Sequence, residues 1–214
     1  TEVLVEVGTN GIIAGAGGDG GDGRNSASGL PGGDGTSALG IDYDGTDIQT
    51  TGGSIICGFG GGGAGGGGET KREGNWRGSG RGPEVVVGGA GGGGGQGIPG
   101  GAGGTGSNGS PDGTAGSATA PGDGGEGISR TSRGEATINA GDGGEGGGVV
   151  NGAVENADKG EDSFLSGGEH ENPHTTGGGN GGANGAAIRK VSGINFTLIG
   201  SPTTFGPTDQ IGVS

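Results

Sequence analysis

The glycines of this chain keep a three-residue rhythm. They form short runs such as 15–23, Gly-Ala-Gly-Gly-Asp-Gly-Gly-Asp-Gly, and account for 70 of 214 residues. One regular backbone suits that rhythm. The polyproline II-type helix has three residues per turn and rises ~3.1 Å per residue, so every third side chain lies along one edge. Where Gly-Gly-X repeats, two edges are bare. Bare edges let neighbouring backbones approach more closely than any Cβ allows. A lone thread of this kind has no internal hydrogen bonds, and buried backbone groups must be paired. Threads must therefore bond sideways to other threads, helped by weak Cα–H···O contacts. The expected fold is mostly irregular/β: a bundle of packed polyglycine II helices, a few short β-strands at its ends, and almost no α-helix.

An ordinary core is not available to such a chain. Hydrophobic residues make up 25%, aromatics 3%, and Met is absent. Glycine carries the largest entropic cost of ordering, on a scale of ~1–2 kcal/mol of backbone entropy per residue. With a net charge of −14, the composition is also that of disordered chains, so order has to come from backbone pairing. The acidity argues against nucleic acid as a partner, which needs a basic footprint. It also disfavours an anionic membrane surface. No apolar run approaches the ~20 residues of a membrane span, so no membrane insertion is expected. The single Cys57 excludes an internal disulfide framework. A start at Thr1 reads as part of a longer protein.

The ends of the chain differ from its middle, so 1–214 reads as one glycine-rich domain with strand-like ends at 1–14 and 186–214 around a bundle at 15–185. The segments 1–7 and 194–199 read as strands. The segment 186–191, followed by Ser192-Gly193, reads as the first arm of a hairpin with 194–199. Glycine runs lie near 15–23, 32–35, 60–68, 88–95, 100–106, 122–127, 141–148 and 177–185. Between them lie richer segments, among them 36–51, 69–87, 107–121, 128–140 and 149–176. Reversing threads throw such segments to the bundle ends as loops, where binding function usually sits.

Three stretches carry a resemblance: 10–18 (Asn-Gly-Ile-Ile-Ala-Gly-Ala-Gly-Gly), 88–104 (Gly-Gly-Ala-Gly-Gly-Gly-Gly-Gly-Gln-Gly-Ile-Pro-Gly-Gly-Ala-Gly-Gly), and 181–188 (Gly-Gly-Ala-Asn-Gly-Ala-Ala-Ile) leading into a strand. With the diverse inserts, the chain resembles the tip adhesin of T-even-type phage long tail fibres. It also resembles the Gly-rich end domains of lambda-type tail-tip host-specificity proteins. The resemblance implies a non-enzymatic, extracellular virion protein at a tail fibre or tail tip, attached to the rest of that structure. Its loops would bind a bacterial outer-membrane protein receptor or a surface glycan, and no cofactor is implied. Because those loops vary within the family, no contact residue carries over by position.

The candidate contacts therefore rest on chemistry. The segment 71–81, Lys-Arg-Glu-Gly-Asn-Trp-Arg-Gly-Ser-Gly-Arg, holds the only Trp and four of the ten basic residues. Trp and Arg are over-represented in binding hot spots, and Arg stacks on indole. Arg72, Trp76, Arg77 and Arg81 are candidates on that ground, with Tyr43 and the pair Arg130 and Arg133 beside them; a local hydrophobic plug is the plain alternative for Trp76. Asp42, Asp44 and Asp47 form an oxygen cluster of the kind calcium accepts, but the pattern lacks a bidentate Glu and flanking helices, so a solvated acidic loop is the default. His170-Glu171-Asn172-Pro173-His174 spells a zinc-protease motif that works only on a helix. Pro173 inside the span opposes one. A structural or ice-binding extracellular protein is the alternative function. It would call for repetitive inserts or a regular Ala/Thr face, and the inserts here are irregular and charged.

Overall fold

The computed structural model describes residues 3–72, 85–132, 136–166, 171–208 and 210–211. Among them are seventeen strands of two to five residues and no helix. The rest of the backbone is extended and organised by hydrogen bonds between distant segments.

Those bonds define ten threads. Thread I is 15–23, II 29–36, III 57–67, IV 88–97, V 99–107, VI 110–117, VII 120–128, VIII 140–147, IX 157–163 and X 176–187. Each runs antiparallel to the next. Within a central thread the partner changes with period three. In thread IV the amides of 92 and 95 donate to thread I and that of 89 to Arg24 just beyond it, those of 90, 93 and 96 donate to thread VIII, and those of 91, 94 and 97 to thread VI. Three-fold alternation gives a thread lateral partners all round, where a strand has only two. Threads III and IV are each bonded to six others, and the remaining eight close a ring around them. The pattern reads as three layers: II–I–V, X–III–IV–VI and IX–VIII–VII. Residues 57–68 and 87–97 are buried throughout. Sequence reason and packing meet here, since III and IV are the chain's longest glycine runs.

Ring threads need other partners for amides that no backbone reaches. Aspartate supplies several of them. Asp19 and Asp22 of thread I accept from Ala102 N (2.8 Å) and Thr105 N (2.7 Å) of thread V. Asp34, Asp112, Asp142 and Asp162 accept likewise from Ala183, Gly106, Gly127 and Gly178 N on adjacent threads. Lys159 Nζ, 2.8 Å from Asp162, and the Gly178 amide hold the Asp162 carboxyl below its usual range. Pro31, Pro99, Pro111 and Pro121 also lie on ring threads. Proline has no N–H to leave unpaired at an edge.

Alternation sends the connections to two ends. At one end, the base, 3–14, 37–56 and 188–211 assemble three parallel three-stranded sheets. The first joins β1 (Leu4–Val7), β4 (Thr46–Thr50) and β15 (Phe196–Ile199). The second joins β2 (Ile12–Ala14), β5 (Ser54–Ile56) and β16 (Thr203–Phe205). The third joins β3 (Leu39–Ile41), β14 (Ile188–Lys190) and β17 (Gln210–Ile211). Ile41, Ile48, Ile55, Ala187 and Ile188 form their shared core. Cys57 is fully buried where thread III leaves this core, and burial pushes its thiol up to about 11. A hairpin, β10 (Gly148–Val150) and β11 (Ala153–Glu155), also lies at this end. Its turn is Asn151-Gly152, both at positive φ (51° and 80°), as a two-residue hairpin of primed type requires.

Two expectations are corrected. The arms 186–191 and 194–199 do not form a hairpin with each other: β14 pairs with β3 and β17, and β15 with β4. Both arms pack on the base core, Ile188 within it and Phe196 against it, and each finds a parallel partner there. Strands are also not confined to the ends of the chain, because the inserts between threads pair as well.

Candidate functional site

Five connections begin and end at the opposite end: 24–28, 68–87, 108–109, 129–139 and 164–175. Two antiparallel sheets organise them. The first has the order β13 (Glu171–Thr175), β6 (Gly68–Arg72), β7 (Val85–Val87). The second has the order β12 (Phe164–Ser166), β9 (Thr137–Asn139), β8 (Ser129–Thr131). Val87, Ile138 and Ala140 are buried between them, with Val85, Ile128 and Leu165 packed against that cluster. These β-branched residues and leucine come from inserts that are otherwise polar, and they explain why this end is held in shape by a small core of its own.

Side-chain bonds tie the connections together. Arg130 Nη2 donates to Asn108 O (2.9 Å) and Nη1 to Val86 O (3.4 Å), while Asn108 Nδ2 donates to Val86 O (2.6 Å). Buried Ser110 Oγ donates to Gly88 O, and Ser107 Oγ to Asn25 Oδ1. Arg130 is exposed, but its guanidinium braces three connections.

The candidate residues divide between the two ends. Arg72 closes β6, opposite Glu171 in the antiparallel register. Trp76, Arg77 and Arg81 belong to the link from β6 to β7, and Arg133 to the link from β8 to β9; these four lie outside the described residues. Tyr43, 64% exposed, lies at the base, the opposite end from Arg72 and Arg130. Asp42, Asp44 and Asp47 lie at the base too. Asp44 accepts from Asn195 N (2.8 Å), and Asp47 is fixed in β4 between Leu4 and Thr197. Among the described residues no three His, Cys, Asp or Glu side chains gather as a metal site. The segment 171–175 is a strand whose Pro173 stands opposite Thr70, so the helix that a His-Glu-x-x-His zinc site needs is not formed there. His170 lies outside the described residues.

Charge follows the same division. Among the described residues this end has Arg24, Lys71, Arg72 and Arg130 against Glu69 and Glu171, whereas the rest has Lys159, Arg189 and Lys190 against sixteen Asp and Glu.

One face at this end escapes sequence reading. In the second sheet, Ile138 and Leu165 turn inward, so period-two alternation puts Ser129, Asn139 and Phe164 in one outward cross-strand row and Thr131, Thr137 and Ser166 in the next. Ser129 Oγ donates to Asn139 Oδ1 (2.5 Å), and Asn139 Nδ2 donates to Ser166 Oγ (3.2 Å). The Thr131 and Thr137 hydroxyls lie 2.9 Å apart. Phe164 is 55% exposed. The only sequence signal is a Ser/Thr/Asn alternation too short to stand out. No family model, curated protein or solved structure matches this chain.

Proposed function

We propose that this protein is the receptor-binding tip of a phage tail fibre or tail tip, a non-enzymatic adhesin that presents loops to a bacterial surface receptor. Its ten threads are, on this reading, polyglycine II helices. The period-three change of partner supports that assignment, since three residues per turn is the defining geometry of the backbone. The observation that carries the functional reading is the sorting of connections. Five connections of unlike composition begin and end at one end of the bundle, with most of the scarce basic residues and the Trp in their sequence. Binding residues concentrate on loops held by a rigid scaffold. The base, where the sheets carry exposed Leu4, Ile12, Leu198 and Ile199, is the end that would join the rest of the fibre.

The test is adsorption blocking. Purified protein is expected to bind candidate host cells saturably and to slow phage adsorption to them. Trp76→Ala should weaken cell binding about thirtyfold, the ~2 kcal/mol of a hot-spot residue, with the melting temperature unchanged. Wild-type protein that binds no cells carrying the receptors of such phages defeats the reading. Unfolding by Trp76→Ala makes the indole a plug and moves the contact elsewhere at this end.

A further inference from the structure

We infer that the outward face of the β8-β9-β12 sheet is a binding face for a neutral saccharide of the bacterial surface. This rests on the adhesin reading and names, for this face, the receptor chemistry. Three observations point the same way. First, none of the six outward residues is charged, in a chain of net charge −14. A phosphorylated or carboxylated ligand would call for Lys or Arg on the face, and the one arginine of β8, Arg130, is occupied in bracing Val86 and Asn108.

Second, the polar groups are organised. Four hydroxyls and one carboxamide are linked in pairs, which fixes rotors that would otherwise be free. Each hydroxyl has one donor and two acceptor positions. A bond to a neighbour leaves capacity over, pointing a ready array of donors and acceptors at a ligand that is itself a ring of hydroxyls. Bidirectional O–H groups suit a sugar, whose hydroxyls also donate and accept.

Third, the ring of Phe164 stands alone. Among the described residues the other exposed large hydrophobics, Leu4, Ile12, Tyr43, Ile98, Val154, Val191, Leu198 and Ile199, all lie at the base end. A protein partner would be expected to find a contiguous apolar centre with a polar rim, which a lone Phe does not offer. A single aromatic face, electron-rich at its centre, lets the C–H-lined face of one pyranose stack while its rim hydroxyls bond to Asn139 and Ser166; Ser129 and Thr131, two strands or about 9–10 Å away, would meet the next sugar of an oligosaccharide.

The experiment titrates the full 214-residue chain against immobilised neutral oligosaccharides prepared from bacterial surface polysaccharides, beside Phe164→Ala and Phe164→Tyr. Cell adsorption of the same three proteins is measured in parallel. At least one neutral oligosaccharide should bind saturably. Phe164→Ala should lose about tenfold or more in affinity, and Phe164→Tyr, which keeps the ring, should stay close to wild type. Phe164 is exposed, so thermal melting of the alanine variant should match wild type. If no neutral oligosaccharide binds, or if Phe164→Ala binds as wild type does, the saccharide face is wrong. Adsorption to cells that persists unaltered in Phe164→Ala also overturns it, while leaving the adhesin reading intact and pointing to a protein receptor. Saccharide binding by a protein that adsorbs to no cells keeps the face and defeats the adhesin reading instead.

Discussion

Gln96 is 4% exposed and ties two connections at the base to thread IV. Its Oε1 accepts from Val149 N (2.7 Å) at the start of the β10–β11 hairpin, and its Nε2 donates to Ala118 O (3.1 Å) in the link between threads VI and VII. Its own backbone bonds to Phe59 and Gly147. Removing the amide takes the side-chain partner from the partly buried Val149 N–H, at ~1–3 kcal/mol, and leaves a gap at a buried position; Ala118 is exposed, so its carbonyl can turn to water. Gln96→Ala should thus cost about 2 kcal/mol or more and lower the melting temperature by several degrees. Gln96→Glu should be no better, since it keeps the acceptor, loses the donor and buries a charge. Melting of either variant at the wild-type temperature would remove the clamp from the account. Nothing in Gly-Gln-Gly-Ile-Pro distinguishes this glutamine from a solvated one. The aspartates were equally opaque. In sequence they read as solubilising acids or as weak calcium candidates, whereas six of them accept from backbone amides of neighbouring ring threads. Side-chain reach across threads is a property of packing, and one-dimensional spacing does not hold it.

At the level of the thread, glycine is densest in the two threads with the most lateral partners. Threads III and IV, each bonded to six others, are glycine at nearly every position. Threads VI and IX, each bonded to three, keep only Gly113 and Gly116, or Gly160. The reason is steric. A Cβ built at Gly92 of thread IV would lie 2.1 Å from Gly62 O, a backbone atom that cannot swing away. Gly92→Val should therefore abolish soluble folded protein, while Ala115→Val on the exposed edge of thread VI should express and melt as wild type. A stable, soluble Gly92→Val protein would contradict close backbone packing of the bundle. The same rule explains what was legible. Each of the eight glycine runs in the sequence lies on a thread. In sequence the segments 110–117 and 157–163 read as parts of inserts, because one bare edge in three is too sparse a signal. The omission matters to topology, because each thread reverses the chain. With eight threads the 129–139 connection would fall at the base; with ten, β8 and β9 lie at the same end as β6 and Arg72.

Across the whole molecule, the acidic excess has an address. On the outer layer IX–VIII–VII, register puts Glu161, Asp142 and Glu126 side by side, and Asp158, Glu145 and Asp123 side by side three residues further along. Five of the six are exposed, with Asp142 partly buried. Like charges directly opposite on paired backbones repel, and here two rows of three do so on one flat face. Only Lys159, held by Asp162, sits among them as a cation. That cost is consistent with a surface selected to stay single, since lateral addition of another thread would bring further backbone against a wall of carboxylates, a form of edge protection. It also predicts a salt response. Screening shrinks from ~30 Å at about 0.01 M to ~3 Å at about 1 M ionic strength, so the wild-type melting temperature should rise as sodium chloride is added over that range. Glu145→Lys, which breaks one row at its centre, should raise stability by roughly 0.5–1 kcal/mol at low salt, within the range of exposed charge pairs, and should flatten the salt dependence. A bundle whose melting temperature ignores salt, or falls in Glu145→Lys, would mean that the carboxylate rows are already relaxed by solvent. The edge would then have to be protected by its prolines and its aspartate–amide bonds instead.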